Sequence, residues 1–325
     1  MKVLFCGNDM YFGFAYTKEE VERRRLGTVV QCDRDKLSQE IVDADVIVPL
    51  MCRITKDLID KASRAKLIIQ YGAGVEGIDI EYASAKGIYV SNIASGDTGN
   101  AESCAEMVVF LLLGCLRRVN QMQRAFREKR LGVPIGDMLK GKSVCIIGFG
   151  NIAKALVPRL APFGVDMFAL RRHVGKFDEN DMDILKDVGE VGREEDMRRI
   201  LGKSDIVVFT CSLNPSNQGM MNREFLSMCA TPVIIVNVAR GGLLDYDAVV
   251  EGLASEKIRA LGIDVHFEEP FDPDDPVATH EAVYCTPHVA GVTQTSYRNM
   301  ARIVADEAEK VVLKGQEPSV IVLHQ

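Results

Sequence analysis

The 325-residue chain lacks several patterns that would place it outside the ordinary globular proteins. No low-complexity segment and no short fixed repeat occurs in it. The apolar stretch MVVFLLLGCL (107–116) has about half of the roughly twenty residues that a membrane-spanning helix needs. It is therefore typical of a buried helix, and the apolar run at the N-terminus is too short for a signal peptide.

Paired cysteines and metal-ligand spacings are also missing. None of the nine cysteines forms a Cys-x-x-Cys pair, and several lie in apolar runs. We interpret them as buried, reduced thiols, which are typical of a reducing compartment such as the cytoplasm. The five histidines do not have the spacing of metal ligands, so no metal site is predicted.

The charge balance has no basic excess. The net charge of -7 argues against a nucleic-acid or membrane-surface partner for the whole chain, although a local basic pocket is compatible with it. A content of 47% hydrophobic and 26% charged residues fits a globular protein with a sizeable core. The length allows about two domains.

Short β-rich runs alternate with charged stretches of helical spacing. The first series of strand candidates is KVLFCG (2–7), VIVPLM (46–51), KLIIQYG (66–72) and IYVSN (88–92). The second series is SVCIIGFG (143–150), VDMFAL (165–170), DIVVFTC (205–211), VIIVNVA (233–239), ALGIDV (260–265) and AVYCTPH (282–288). This alternation predicts an α/β fold with parallel sheets, and six strands is the number in a dinucleotide-binding sheet.

Two long helices are predicted outside these series. Residues 100–130 lack proline and contain one internal glycine, which indicates a single helix long enough to bridge two domains. Residues 294–315 form an amphipathic pattern that ends near Gly315.

The turn GFGNIA (148–153) follows an apolar strand and precedes a predicted helix. In such a turn Gly148 allows the tight bend, Gly150 lets the backbone approach a pyrophosphate, and Ala153 lets helix and strand pack closely. The N-terminus of the helix then faces the phosphates. A tight turn without a ligand is the alternative interpretation.

Arg171 and Arg172 stand where a dinucleotide-binding unit often has an acid that binds the adenosine ribose. Two guanidinium groups suit a ribose phosphate better than bare hydroxyls, which favours NADP over NAD. The alternative is a solvated basic corner of the surface.

Three more candidate residues follow predicted strands. Arg240 stands before the glycine turn at 241–242, Asp264 is followed by an acidic loop with Glu268 and Glu269, and His288 comes just after a proline. Taken singly, Arg240 fits a structural ion pair and His288 a surface position. Together they supply an anion clamp, a proton donor and a carboxylate that keeps the donor protonated, which is what acid–base chemistry on a carbonyl needs.

In this order, GFGNIA, NVARGG, GIDVHFEEP and TPHVAG resemble the D-isomer-specific 2-hydroxyacid dehydrogenases. The resemblance implies two Rossmann-like or flavodoxin-like parallel-sheet domains. Residues 1–99 and 293–325 would form a discontinuous substrate domain, and residues 100–292 would form the inserted NAD(P)-binding domain. A homodimer through the cofactor domain is also implied.

The same resemblance implies roles for individual residues. Arg240 would bind the substrate's carboxylate and carbonyl oxygen, His288 would give the proton, and Glu269 would hold His288 ready to donate. Backbone N–H groups of Ala73 and Gly74 would bind the carboxylate. Asp264 would hold the nicotinamide carboxamide, and the remaining implied cofactor contacts are Phe149, Asn151, Ile152, Cys211, Ser212, Asn217, Val238, Ala239 and Gly291.

Some positions depart from the family pattern. Ser212 and Asn214 replace the usual Pro and Thr, and Gln70 stands where phosphoglycerate dehydrogenases often carry a basic residue. Arg171, in place of the acid, is closer to NADPH-linked glyoxylate and hydroxypyruvate reductases. The favoured hypothesis is therefore an NADPH-dependent reductase of small 2-keto acids. The alternatives are an NAD-dependent dehydrogenase of a D-2-hydroxy acid such as D-3-phosphoglycerate, and a nucleotide-sensing corepressor.

Overall fold

The computed structural model describes residues 1–50, 52–96, 98–172, 179–229 and 232–322. The chain forms two compact units, with Met1–Asn100 and Thr293–Gln325 in unit 1 and Ala101–Val292 in unit 2. Each unit contains one parallel sheet with helices along the chain between its strands, which confirms the predicted α/β class with two parallel-sheet domains. Met51, the last residue of one predicted strand, lies outside the described residues.

Unit 1 is built on a sheet with the strand order β2-β1-β3-β4-β5. Its strands are β1 (Lys2–Cys6), β2 (Thr28–Cys32), β3 (Val46–Pro49), β4 (Leu67–Gln70) and β5 (Tyr89–Asn92). Its helices are α1 (Tyr11–Arg23), α2 (Leu37–Glu40), α3 (Lys56–Lys61), α4 (Ile80–Ala85) and, from the C-terminal segment, α12 (Gln294–Ala308). The central strands β1 and β3 are almost wholly apolar because helices cover both faces of a parallel sheet.

Helix α12 packs on α1 within unit 1. Ion pairs link Arg24 to Asp306 and Arg298 to Glu19 along these helices. The Tyr71 hydroxyl donates to the Tyr297 backbone oxygen, 3.3 Å away. The C-terminal segment is thus part of the same core as the N-terminal hundred residues.

Unit 2 has a larger sheet with the strand order β12-β11-β10-β9-β6-β7-β8. Its strands are β6 (Ser143–Ile147), β7 (Asp166–Leu170), β8 (Glu190–Gly192), β9 (Ile206–Phe209), β10 (Val233–Asn237), β11 (Ile258–Ile263) and β12 (Val283–Cys285). Its helices are α5 (Asn100–Arg117, whose first residue belongs to unit 1), α6 (Val119–Arg127), α7 (Asn151–Leu160), α8 (Glu179–Leu185), α9 (Met197–Leu201), α10 (Arg223–Met228) and α11 (Tyr246–Ala254). Because the strands are parallel, their carboxyl ends meet at one edge.

Two strands were missing from the sequence prediction. The described residues contain five strands in unit 1 and seven in unit 2, whereas the apolar runs predicted four and six. The additional strands, β2 and β8, each lie at an edge of their sheet and keep half-exposed residues. An edge strand pairs on one side only and does not require the continuous apolar run of a central strand.

The single helix predicted over 100–130 is wrong. Helix α5 ends at Arg117, Arg118 takes the left-handed conformation with φ of 55°, and α6 begins at Val119. The new direction is stabilised by tertiary bonds, since the Asn120 side chain donates to the Val283 backbone oxygen and Arg124 pairs with Glu281. Along the described residues, no helix is both long and apolar enough to cross a bilayer.

Candidate active site

Three neighbouring strands bring the predicted catalytic residues of unit 2 to one edge of its sheet. Strand β11 pairs with β10 on one side and with β12 on the other. Arg240 follows β10 by three residues, Glu269 lies in the loop after β11, and His288 follows β12 by three residues. Residues that are far apart in sequence therefore lie on adjacent loops.

Glu269 and His288 form a direct pair. The His288 Nδ1 atom lies 3.0 Å from one Glu269 carboxylate oxygen and 2.8 Å from the other. Because a carboxylate only accepts hydrogen bonds, Nδ1 carries the hydrogen and Nε2 is the nitrogen left to act on a ligand. Both side chains are partly exposed, 30% for His288 and 18% for Glu269, so the pair is reachable from outside unit 2.

The environment of Glu269 keeps it ionised. Burial raises the pKa of this carboxyl, but the hydrogen bond and the charge of His288 lower it more, and the backbone N–H of His266 adds to the lowering. The net pKa lies below the ordinary value of 4.5. Glu269 is therefore an anion at neutral pH.

Asp264 anchors the loop that carries His288. Its carboxylate is fully buried and accepts hydrogen bonds from the Thr286 hydroxyl (2.5 Å) and from the backbone N–H groups of Val289 (2.9 Å) and Ala290 (2.8 Å). These bonds flank His288, whose φ of 54° is unusual for a residue with a side chain. The predicted contact of Asp264 with the nicotinamide carboxamide stays a prediction.

Arg240 stands at a close approach of two loops. The Asn237 side chain donates to the Arg240 backbone oxygen (2.8 Å), and the next residue, Gly241, begins a short 3₁₀ turn. A Cβ at Gly241 would lie 1.8 Å from the His266 backbone oxygen, so glycine is required there. The missing side chain lets the β10 and β11 loops touch and keeps Arg240 beside the loop of Glu269.

The glycine turn at 148–153 has the geometry of a phosphate site. Gly148 has φ of 95°, and a Cβ there would lie 2.8 Å from the Cys211 backbone, so it is required for packing. Gly150 differs, because a Cβ built on it meets no atom within 4 Å. This open space lies at the N-terminus of the ten-residue helix α7, where the helix dipole favours an anion. The turn therefore fits the pyrophosphate of a dinucleotide.

Arg171 and Arg172 follow β7, the strand beside β6 and its glycine turn. The Arg171 backbone N–H donates to the Gly192 oxygen (3.1 Å), and Gly148 donates to the oxygen of Leu170 (2.8 Å). The Arg172 side chain is exposed and lies 3.5 Å from the Ser216 hydroxyl. This edge of the site thus presents the exposed Arg172 guanidinium, which is a suitable donor for a phosphate.

The loop after β9 is closed by its own side chains. Asn217 accepts from the backbone N–H of Asn214 (2.7 Å) and donates to the backbone oxygen of Ser212 (2.8 Å). Both ends of the Asn217 amide are therefore used in shaping the loop. The other residues predicted to touch the cofactor lie at the same carboxyl edge of the unit 2 sheet; they are Phe149, Asn151, Ile152, Cys211, Val238, Ala239 and Gly291.

Ala73 and Gly74 lie in unit 1, in the loop after β4. Ala73 is exposed, and its backbone oxygen accepts from the Asn92 side chain (2.7 Å). The left-handed backbone in this loop belongs to Gly72, with φ of 142°. The predicted carboxylate contacts of Ala73 and Gly74 stay predictions.

The unit 2 geometry agrees with a sequence comparison. The sequence model described as "D-isomer specific 2-hydroxyacid dehydrogenase, NAD binding domain" matches residues 109–290, which is more than half of the chain. The chain belongs to the D-isomer-specific 2-hydroxyacid dehydrogenase family. Its members are oxidoreductases that act on CH–OH groups, and the matched domain is the one that binds a nicotinamide dinucleotide.

Relatives of this dehydrogenase carry different substrate names. It is 32% identical over 289 residues to a D-3-phosphoglycerate dehydrogenase from Methanocaldococcus jannaschii. The aligned residues make up 87% of this chain but only 52% of that protein. It is 29% identical over 303 residues to a glyoxylate reductase from Thermococcus kodakarensis, with coverage of 90% and 87%. The comparison shows the family and leaves the substrate open.

Solved structures confirm the fold of the dehydrogenase. A D-2-hydroxyisocaproate dehydrogenase superposes with a TM-score of 0.82, at 21% identity and 99% coverage of both chains. An NADPH-dependent glyoxylate/hydroxypyruvate reductase from Sinorhizobium meliloti, in complex with NADP and malonate, superposes with a TM-score of 0.81. Its identity is 23%, with coverage of 99% of this chain and 96% of that one.

Two residues of the dehydrogenase site, Thr286 and His266, were not predicted from the sequence. Thr286 binds Asp264, and His266 contacts both the Glu269 loop and the His288 loop. Thr286 and His266 lie inside motifs that were recognised, and a buried acid at a strand end needs donors from the next loop. Which donors it uses depends on loop geometry that the motif letters do not show. Among the described residues, no cluster of His, Cys, Asp and Glu could hold a metal ion.

Proposed function

We propose that this dehydrogenase uses NADPH to reduce a small 2-keto acid, of the glyoxylate or hydroxypyruvate type, to the D-2-hydroxy acid. The observation that carries the proposal is the contact between Glu269 and His288 beside the Arg240 loop, which supplies an ionised carboxylate and an oriented proton donor. The glycine turn and the arginine pair support the cofactor part of the proposal.

The proton chemistry follows from the pair. When bound, a reduced nicotinamide supplies the hydride that adds to the carbonyl carbon. His288 gives its Nε2 proton to the carbonyl oxygen, which completes the hydroxyl group, and Glu269 stabilises the imidazolium before the transfer. The Arg240 guanidinium binds the carboxylate and polarises the carbonyl oxygen. The substrate is thereby oriented for hydride addition to its carbonyl carbon.

The cofactor proposal rests on charge. An acid after β7 would accept bonds from ribose hydroxyls and repel a 2′-phosphate, whereas Arg171 and Arg172 attract it. The Ser216 hydroxyl donates to the Asn214 side chain at 2.5 Å and accepts from Arg172 at 3.5 Å, which holds the Arg172 guanidinium at this edge. NADP, with NAD as the weaker alternative, is therefore the proposed cofactor.

A matrix of cofactors and substrates tests the function. We expect oxidation of NADPH with glyoxylate or hydroxypyruvate, followed by nicotinamide absorbance, to exceed the rate with NADH. No turnover on a panel of 2-keto acids with either cofactor would leave the nucleotide-sensing alternative, for which NADPH should still raise the melting temperature. Turnover mainly of D-3-phosphoglycerate with NAD would favour the phosphoglycerate alternative, which the M. jannaschii relative supports and Gln70 does not.

We also propose a homodimer through unit 2. Large apolar side chains are exposed along α5, α6 and the segment that follows them, namely Phe110, Phe126, Leu131, Ile135 and Met138. Leu131 is 96% exposed and Ile135 is 84% exposed, and a groove of about 460 Å³ opens beside Met138. Apolar surface of this extent is typical of a protein–protein interface.

The free state of all nine cysteines supports the cytoplasm as the compartment. Six of them are buried as predicted, whereas Cys52 and Cys211 are half-buried and Cys285 is exposed.

Leu131→Asp should dissociate the dimer. Burying a leucine contributes about 1.5–3 kcal/mol, so we expect the dimer dissociation constant to rise at least about tenfold. Sedimentation velocity over a range of concentrations measures it. Leu313→Asp, at an exposed apolar residue of unit 1, is the matched control and should leave association unchanged. A wild-type chain that stays monomeric at tens of micromolar would contradict the proposal.

A further inference from the structure

His266 contacts both loops of the proton-donor pair. Its backbone N–H donates to a Glu269 carboxylate oxygen at 3.0 Å. Its ring Nε2 lies 3.0 Å from the Thr286 backbone oxygen, and since a carbonyl only accepts, Nε2 carries the hydrogen. The same Thr286 oxygen also receives the backbone N–H of His288, at 3.0 Å. One residue thus binds Glu269 on one side and the base of the His288 loop on the other.

The ring of His266 is held in place. It is only 9% exposed, and it packs on Phe271 with ring centroids 4.4 Å apart and an angle of 31° between the planes. Packing of this kind restricts the ring to one orientation, so the direction of its N–H is determined. The proposed reaction gives this N–H no part, because Glu269 and His288 supply the acid–base chemistry.

The His288 loop needs such a bond. His288 has a φ of 54°, a conformation that is sparsely populated for residues with a side chain and persists only where the surroundings enforce it. Asp264 holds the residues after His288, through Val289 and Ala290. The ring of His266 holds the carbonyl group two residues before it. The two anchors together constrain the loop on both sides of the catalytic histidine.

We infer that His266 is a positioning residue, which keeps the Glu269 loop and the His288 loop aligned so that Nδ1 of His288 meets the carboxylate and Nε2 is directed to the substrate. The inference rests on the proposed function. It concerns the ring N–H, since any residue at this position supplies the backbone N–H to Glu269.

Two variants separate the ring N–H from the shape of the side chain. His266→Phe keeps the volume and the stacking on Phe271 but loses the donor, whereas His266→Gln retains an amide N–H that can reach the Thr286 oxygen. We expect His266→Phe to lower kcat about tenfold, as for loss of one orienting hydrogen bond, with the KM for the keto acid and for NADPH within about twofold of wild type. His266→Gln should restore at least about half of kcat.

A local measurement tests the bond between His266 and Thr286 independently of enzyme activity. In hydrogen–deuterium exchange, the peptide that covers 283–292 should exchange faster in His266→Phe and return towards wild type in His266→Gln, while the rest of unit 2 is unchanged. His280→Phe is the matched control, since the His280 ring accepts from the nearby Ala282 N–H and His280 precedes β12, whereas the site lies after that strand.

Each other outcome is decisive. An unchanged kcat in His266→Phe, a loss that His266→Gln does not restore, or a rise in KM alone would overturn the inference. If wild-type protein turns over no keto acid, the proposed function fails. The exchange rate of the peptide 283–292 then still shows whether the His266 ring constrains the His288 loop.

Discussion

His288→Ala should lower the kcat of keto-acid reduction at least about a hundredfold, in the range that loss of a general acid produces. The structure provides the reason. His288 Nδ1 is bound to Glu269 at 2.8 Å, so Nε2 is the atom that presents a proton. Without the imidazole, the alkoxide that forms on hydride addition must take its proton from water, which is a weaker acid and is not held in place.

The loss should be confined to chemistry. We expect NADPH to bind His288→Ala with a dissociation constant within about threefold of wild type, because the phosphate-binding turn lies on the other half of the sheet. Steady-state kinetics and calorimetric titration measure the two quantities. His280→Ala should keep full turnover. A His288→Ala variant that retains a tenth or more of wild-type kcat would show that another group gives the proton.

The acidic pH limit of the same reaction depends on Glu269. The pKa of Glu269 is lowered in the folded protein. The carboxylate therefore contributes to the free energy of unfolding at pH values above its ordinary pKa of 4.5, and this contribution is lost as the pH falls through the lowered pKa of the folded state. We therefore expect no loss of activity from protonation of Glu269 between pH 7 and 4.5. Glu269→Gln, which cannot hold a charge, should lower kcat about tenfold to a hundredfold across that range.

Replacing Arg171 and Arg172 together by alanine should reverse the cofactor preference. Each guanidinium that binds a phosphate contributes about 1.5–3 kcal/mol, so kcat/KM for NADPH should fall at least about a hundredfold. The value for NADH should change less than about threefold, because NADH has no 2′-phosphate for these side chains to bind. The ratio of the two efficiencies is the measurement.

A control variant separates phosphate binding from a general effect of surface charge. Arg223→Ala removes an exposed guanidinium of unit 2 that pairs with Glu251, and it should leave the cofactor ratio unchanged. A salt titration adds a second check, since the NADPH advantage should weaken as ionic strength rises. If the wild-type protein uses NADH as well as NADPH or better, the interpretation of the arginine pair is wrong.

The central strands and the glycine turn could be predicted because their signals are local. An apolar run followed by GFGNIA reports a buried parallel strand, a tight bend and a helix start within twelve residues. Strands β2 and β8 had no such signal, because edge strands remain half-exposed. The break at Arg118 had none either, since Asn120 and Arg124 stabilise the new helix direction by contacting residues more than 150 positions away.

The α/β class and the family follow from the sequence alone, which also predicts Glu269 and His288 as a proton-donor pair, since each depends on residue types at short spacings. How those residues are held depends on the tertiary structure. It placed Asp264 under the His288 loop and His266 between the Glu269 and His288 loops. The physical reason is that a hydrogen bond needs a distance and a direction, and these are set where strands β10, β11 and β12 lie side by side.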